Sequence, residues 1–139
     1  MIYLITGLPG TGKTTAATKL CETLAAKGSE PIHLDGDNMR KCWANIGYTT
    51  ESRLENIHRI FLVSELFHKY GKDVVVSVVA PSKVSRKEFR DTFNENYTEV
   101  LLTEIHEKRP AHFYPIYEPS ETEPEYTGDS EFKKLIETI

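Results

Sequence analysis

Ile2-Tyr3-Leu4-Ile5-Thr6 runs directly into Gly7-Leu8-Pro9-Gly10-Thr11-Gly12-Lys13-Thr14. The first five residues are apolar or β-branched and read as a buried strand. The next eight match G-x-x-x-x-G-K-[ST] in full. Beyond them Ala16, Ala17, Leu20, Leu24 and Ala25 recur at helical spacing, and Gly28 closes the helix. Strand, glycine-rich turn and helix in this order form a phosphate-binding loop. Its glycines let successive backbone N–H groups point inward, and the helix sets its positive end at the same spot. Lys13 would reach the β- and γ-phosphates, and the Thr14 hydroxyl would ligate Mg²⁺. Gly7, Pro9, Gly10, Thr11, Gly12, Lys13, Thr14 and Thr15 are the expected ATP contacts. A glycine turn with a chance lysine is the bland alternative, and the flanking strand and helix argue against it.

Outward from this loop the pattern repeats. Pro31–Leu34 reads as a second strand, Asp37–Ile46 as a short helix, and Thr50 to Gly71 as a longer helix that starts at an imperfect capping signal. Val74–Val79 is apolar on both faces, as in a parallel sheet covered on both sides. Lys83–Asn94 reads as helix, Thr98–Thr103 as a fourth strand, and His112–Tyr117 as a fifth strand at the sheet edge. Residues 118–128 look like a solvated loop, and Phe132, Leu135, Ile136 and Ile139 mark one face of a terminal helix. Alternating strands and helices predict an α/β domain over residues 1–139, with a mostly parallel, doubly wound sheet of about five strands. Lys69, Lys72, Lys83, Arg86, Lys87 and Arg90 read as solvated helix faces.

Composition narrows the classes further. The chain has 139 residues, 39% hydrophobic and 27% charged, and a net charge of −4. That balance fits one globular core, and it argues against nucleic acid as a partner held by bulk positive charge. Residues 118–139 carry seven acids and two bases, so the remaining body is close to neutral. No apolar run approaches the roughly 20 residues of a membrane span, and the N-terminus lacks the basic region of a signal peptide. Cys21 and Cys42 are isolated, which points to a reducing, cytoplasmic setting. The five histidines show no metal-ligand spacing.

A phosphate-binding loop can serve a switch, a motor or a small kinase. No NKxD-type guanine motif is present, and the core strand ends Val78-Val79-Ala80-Pro81 without the acid a motor would place there. The second strand instead leads into Asp35-Gly36-Asp37. Small kinases often set a carboxylate at this point, facing the acceptor hydroxyl and the metal. Asp35 is therefore the expected catalytic carboxylate and second Mg²⁺ ligand, and Asp37 the expected helix N-cap.

Leu34-Asp35-Gly36-Asp37-Asn38-Met39-Arg40 resembles the LDGDNxR segment of adenylylsulfate kinases. Gly47-Tyr48 and Ser52-Arg53-Leu54-Glu55-Asn56-Ile57-His58-Arg59 resemble that family's GF…DRxENIRR segment, and Val79-Ala80-Pro81 falls where the family has ISP. The resemblance covers residues 1 to about 103 in order. It implies a three-layer P-loop kinase fold and transfer of the γ-phosphoryl of ATP, with Mg²⁺, to the ribose 3′-hydroxyl of adenylylsulfate. It implies that Arg40, Arg53 and Asn56 hold the acceptor's phosphosulfate and ribose, with planar guanidinium groups suited to paired phosphate oxygens. Tyr48 stands at the position of an adenine-stacking phenylalanine, and Asp37 and Ala80 fall in acceptor-side segments. Asp35 would orient or deprotonate the 3′-hydroxyl. Related kinases are often homodimers.

Several positions depart from the family. His58 replaces an arginine, Ala80 replaces the serine of ISP, and Ser82-Lys83 stand where the family has Tyr-Arg. After Thr103 the family carries a long basic lid. Here Glu104–Tyr117 is short, and Pro115-Ile116-Tyr117-Glu118-Pro119 resembles the end of that region. Arg109 is the surviving cation, expected to stack on the adenine of ATP or to neutralise developing charge. The shortened lid keeps two other readings open. One is a kinase with a different acceptor, such as another nucleotide, a nucleic-acid end or a small hydroxylated metabolite. The other is a nucleotide-binding module with little catalysis.

Overall fold

The computed structural model describes residues 1–43 and 46–139. Five strands form one sheet: β1 (Ile2–Thr6), β2 (Ile32–Asp35), β3 (Val74–Ser77), β4 (Tyr97–Leu101) and β5 (Tyr126–Thr127). Their order across the sheet is β2-β3-β1-β4-β5, and every described pairing is parallel. The helices are α1 (Lys13–Ala26), α2 (Gly36–Arg40), α3 (Thr50–Lys69), α4 (Lys83–Phe93) and α5 (Asp129–Thr138).

Side chains alternate across β1, and this sorts the core into two layers. Ile2 and Leu4 face Ile57, Ile60 and Phe61 of α3 and Phe89 and Phe93 of α4. Tyr3 and Ile5 face Ala17, Leu20 and Leu24 of α1 and Leu135 of α5. β1 and β3 bury every residue, as their continuous apolar runs predict. Sheet order turns at β1, because the chain goes outward to β2 and then returns past it to β4. Ligands of such sheets bind beyond the carboxyl ends of the strands at that switch point, and here those ends carry Gly7, Asp35, Val78 and Leu102.

The structure corrects several sequence expectations. The edge strand expected at His112–Tyr117 is absent; Ala111–Phe113 is a 3-10 turn, with Phe113 N–H donating to Pro110 O. Pro115 has no N–H for a ladder, and Tyr117 turns inward so that its hydroxyl meets Thr6 Oγ1 at 2.9 Å. The edge is instead β5, inside the stretch expected to be loop. α2 ends at Arg40, and positions 44 and 45 of the helix expected over Asp37–Ile46 lie outside the described residues. Thr49, not Thr50, caps α3, accepting from Ser52 N–H.

Two arginines expected on solvated faces are tied down. Arg86 is 1% exposed; its guanidinium donates to Ala80 O, Glu118 O and Ser120 Oγ and lies over the Tyr117 ring. Arg90 meets the Glu125 carboxylate with both Nη atoms, at 2.9 and 3.1 Å. Residues 117–125 are thereby fastened to α4 rather than left in solvent.

Candidate active site

A cavity of about 900 Å³ opens at the carboxyl ends of the strands. The P-loop forms its floor from Pro9 to Thr15. Gly7 lies outside the lining: its φ is +151°, and a Cβ there would stand 2.5 Å from Leu102 O. Its part is to let the loop leave β1 against β4. Gly10, at φ +84°, accepts from both His106 N–H and Glu107 N–H through its carbonyl. A strap over residues 104–109 thus lies directly on the phosphate loop, and a Cβ on Gly10 would come 1.9 Å from Glu107 O. Gly10→Ala is expected to push the strap away and to cost about 2 kcal/mol, since a left-handed backbone and a backbone clash add. A urea midpoint equal to wild type would contradict that.

Lys13 lies in the floor with its Nζ donating to Leu8 O at 3.0 Å. Burial lowers its pKa to about 8, against the pull of Asp37 and Asp35 and with the push of Arg109 and Arg53. Beside it, Thr14 Oγ1 donates to Asp35 Oδ1 at 2.8 Å. These two hard oxygen donors at the phosphate-loop edge fit Mg²⁺, which prefers oxygen ligands and one or two carboxylates. Asp35 is also the N-cap of α2, accepting from Asn38 N–H at 3.4 Å. The cap expected of Asp37 therefore belongs to Asp35, whose carboxylate has a second oxygen besides the one that caps.

The opposite wall carries Asp37, Arg40, Tyr48 and Arg53. Arg40 donates to Gly47 O at 3.0 Å and to Asp37 Oδ1 at 3.1 Å, and its guanidinium lies 4.1 Å from the Tyr48 ring centroid. Arg53 donates to Tyr48 O and Phe113 O, while its Nη1 is buried without a hydrogen-bond partner among the described residues. Burial and the neighbouring Arg40 both disfavour the Arg53 charge. Two guanidinium groups lining one cavity suit an anionic ligand.

Ala80 and Arg109 line the cavity as expected. Ala80 holds φ +45°, with its carbonyl gripped by Arg86. Arg109 is exposed and paired with Glu107 at 2.8 Å. Asn56 does not line the cavity. It is fully buried, accepting from Trp43 Nε1 and donating to Gly36 O, so it fixes the α2–α3 junction beneath the wall. Sequence reading also missed Ser77, His106, Asp129 and Phe132. Ser77 and the α5 residues come to the cavity through strand register and chain return, which leave no short-range signal. Glu104, His106 and Asp129 each offer a ligand atom within 4.8 Å of the others. All three are exposed, and the His106–Asp129 hydrogen bond of 2.8 Å accounts for their meeting.

Residues 1–119 match the family model for adenylylsulphate kinase. The chain belongs to the adenylylsulphate kinase family. An adenylyl-sulfate kinase of Paraburkholderia xenovorans is 37% identical over 102 residues, which cover 73% of this chain and 57% of that protein. One of Staphylococcus epidermidis is 34% identical over 135 residues, 93% of this chain and 67% of that one. Among solved structures, an alanine-for-cysteine variant of the APS kinase CysC of Mycobacterium tuberculosis superposes with a TM-score of 0.74 at 25% identity, over 98% of this chain and 91% of that chain. The chain thus spans less than two thirds of the length of the Paraburkholderia relative and of a Bacillus licheniformis relative, of which it covers 60%. The P-loop kinase fold expected of the adenylylsulphate kinase family is the fold found, with strap and P-loop meeting at Gly10. Among the described residues no helix is long and apolar enough to cross a membrane.

Proposed function

We propose that this protein transfers the γ-phosphoryl group of ATP to the 3′-hydroxyl of adenylylsulfate, giving 3′-phosphoadenylylsulfate and ADP. The observation that carries the reading is that Arg40 and Arg53 line the same cavity as the phosphate loop. The phosphate loop would hold one anion with its backbone amides, and the two guanidinium groups would hold a second. A nucleoside carrying a sulfated phosphate supplies that anion and a hydroxyl between the two.

In this reading the P-loop amides and Lys13 hold the β- and γ-phosphates and stabilise charge on the transferring group. Thr14 and Asp35 would hold Mg²⁺, which when bound neutralises charge on the phosphate oxygens. Asp35 orients the acceptor hydroxyl and accepts its proton as the new P–O bond forms. The β–γ bridging bond breaks, and its electrons leave on ADP. Arg40 and Arg53 hold the phosphosulfate, and Tyr48 offers its ring to the acceptor's adenine. Arg109, at the end of the strap, lines the cavity and would stack on the adenine of ATP or neutralise developing charge. The homodimer expected from the resemblance belongs to this reading, and light scattering should return twice the chain mass.

The test is turnover of ATP with adenylylsulfate, Mg²⁺ and purified protein. Arg53→Leu should raise KM for adenylylsulfate about 10- to 100-fold, the loss of one charge-assisted contact, while KM for ATP stays within about 2-fold. Turnover of a different hydroxylated acceptor in preference to adenylylsulfate would replace the acceptor assignment. ATP binding without turnover on any acceptor would leave a nucleotide-binding module.

A further inference from the structure

A polar file runs behind the catalytic carboxylate. His33 and Asp35 are two residues apart on β2 and so share the face of the sheet that α1 covers. Parallel pairing sets Asp35 opposite Ser77 of β3. Ser77 is 2% exposed, and its Oγ donates to Asp35 Oδ1 at 2.8 Å. The same carboxylate oxygen takes the Thr14 hydroxyl at 2.8 Å. On its far side Ser77 Oγ lies 2.7 Å from His33 Nε2. An ionised carboxylate can only accept, so the single Ser77 proton is committed to Asp35. The Ser77 oxygen must then accept from His33, which fixes that ring as the Nε2–H tautomer. Half-buried on an edge strand, His33 occupies a place that packing alone would fill with an aliphatic side chain.

We propose that His33, acting through Ser77, is a positioning residue for Asp35. Two hydroxyls donate to Oδ1 and hold the carboxylate in one rotamer. Among the described residues its second oxygen keeps only the Asn38 amide, at 3.4 Å, and is left for the reaction. His33 does not line the cavity, and its side-chain hydrogen bond is to Ser77. Outer groups that orient a functional carboxylate or imidazole are commonly worth 10- to 100-fold in activity or ligand affinity.

This inference rests on the kinase reading, so its test has one arm that does not. Histidine ¹⁵N NMR of the ligand-free protein should show His33 as the Nε2–H tautomer, with that signal displaced in Ser77→Ala. In steady-state assays His33→Phe should lower kcat about 10-fold, with both KM values within about 2-fold. His33→Gln, whose amide N–H reaches the same Ser77 oxygen, should recover most of the loss. An Nδ1–H tautomer in the wild type would overturn the proposal. So would an unchanged kcat in His33→Phe, or equal losses in the Phe and Gln variants. If either variant fails to fold, the tautomer and its response to Ser77→Ala decide. If adenylylsulfate is not turned over at all, the kinase reading fails while the NMR arm still reports whether His33 holds Asp35.

Discussion

Lys13→Met is expected to lower kcat/KM about 10³-fold and, at pH 7, to leave the ligand-free protein more stable than wild type. In the proposed mechanism, loss of activity follows from removing the cation that would meet the transferring phosphoryl group. The gain in stability follows from burial, which brings the Lys13 pKa down to about 8 from an ordinary 10.5. A lowered lysine pKa means that folding disfavours the charged form. Below pH 8 both states carry the proton, and the folded state bears the full penalty. Between pH 8 and 10.5 the folded state sheds its proton first, and the penalty fades. The ammonium keeps one carbonyl partner and some solvent, which reduces the gain to about 1 kcal/mol. Urea unfolding at pH 7 and pH 9.5 checks the sign: the advantage of Lys13→Met should shrink at the higher pH. An advantage that grows with pH would refute the assignment. Bound triphosphate favours the charged amine, so ATP binding above pH 8 should take up a proton. Calorimetry in two buffers of different ionisation enthalpy measures that uptake.

The same lysine was legible from sequence because everything it needs lies within eight consecutive residues. Glycine conformations, the inward N–H groups and the helix start are local properties, and a local pattern survives in a single chain. Asp35 was legible for a similar reason, since a carboxylate at a strand end is visible wherever the strand is. Asn56 was not. Its partners are a tryptophan ring and a backbone carbonyl, and its place beside Arg53 in one motif gave no sign that one faces the cavity and the other the core. Helical phase carried a signal there, because Asn56 adjoins Ile57 and lies four residues before Ile60, on the buried face of α3. The His33–Ser77 contact spans 44 residues and depends on register between strands, which periodicity cannot supply. β5 is two residues long and has no periodicity to detect; its neighbour β4 and the α5 start define it.

Arg86 shows the same limit with a larger consequence. Arg86→Leu is expected to destabilise the protein by about 3 kcal/mol, although no carboxylate pairs with this arginine directly among the described residues. Its partners are carbonyls, which every residue has and no sequence displays. Helical phase does put it on the buried stripe with Phe89 and Phe93. In the fold its Nη1 meets Ala80 O at 2.6 Å, and its guanidinium lies 4.3 Å from the Tyr117 ring centroid. Glu118 N–H donates to Pro81 O, and the Glu118 carboxylate accepts from Lys83 N–H at the start of α4. Leucine would fill much of the volume and remove a buried charge, which offsets part of the loss. It would also leave the Ala80 and Glu118 carbonyls unpaired, at about 1–3 kcal/mol each. Glu99 adds a pH dependence. Burial raises its pKa, opposed by the Tyr97 hydrogen bond and by the charges of Arg90 and Arg86. Without Arg86 that pKa rises further, so ionised Glu99 costs more in the variant. The stability gap between wild type and Arg86→Leu should therefore widen as pH climbs through the raised Glu99 pKa of the wild type and level off above the variant's own, higher Glu99 pKa. A gap independent of pH would separate Arg86 from Glu99. Because Tyr117 also reaches Thr6, one residue before the phosphate loop, the variant should lose ATP affinity even where it remains folded. Limited proteolysis should then cut first between residues 104 and 125, where the strap and the clamped segment lose their anchor.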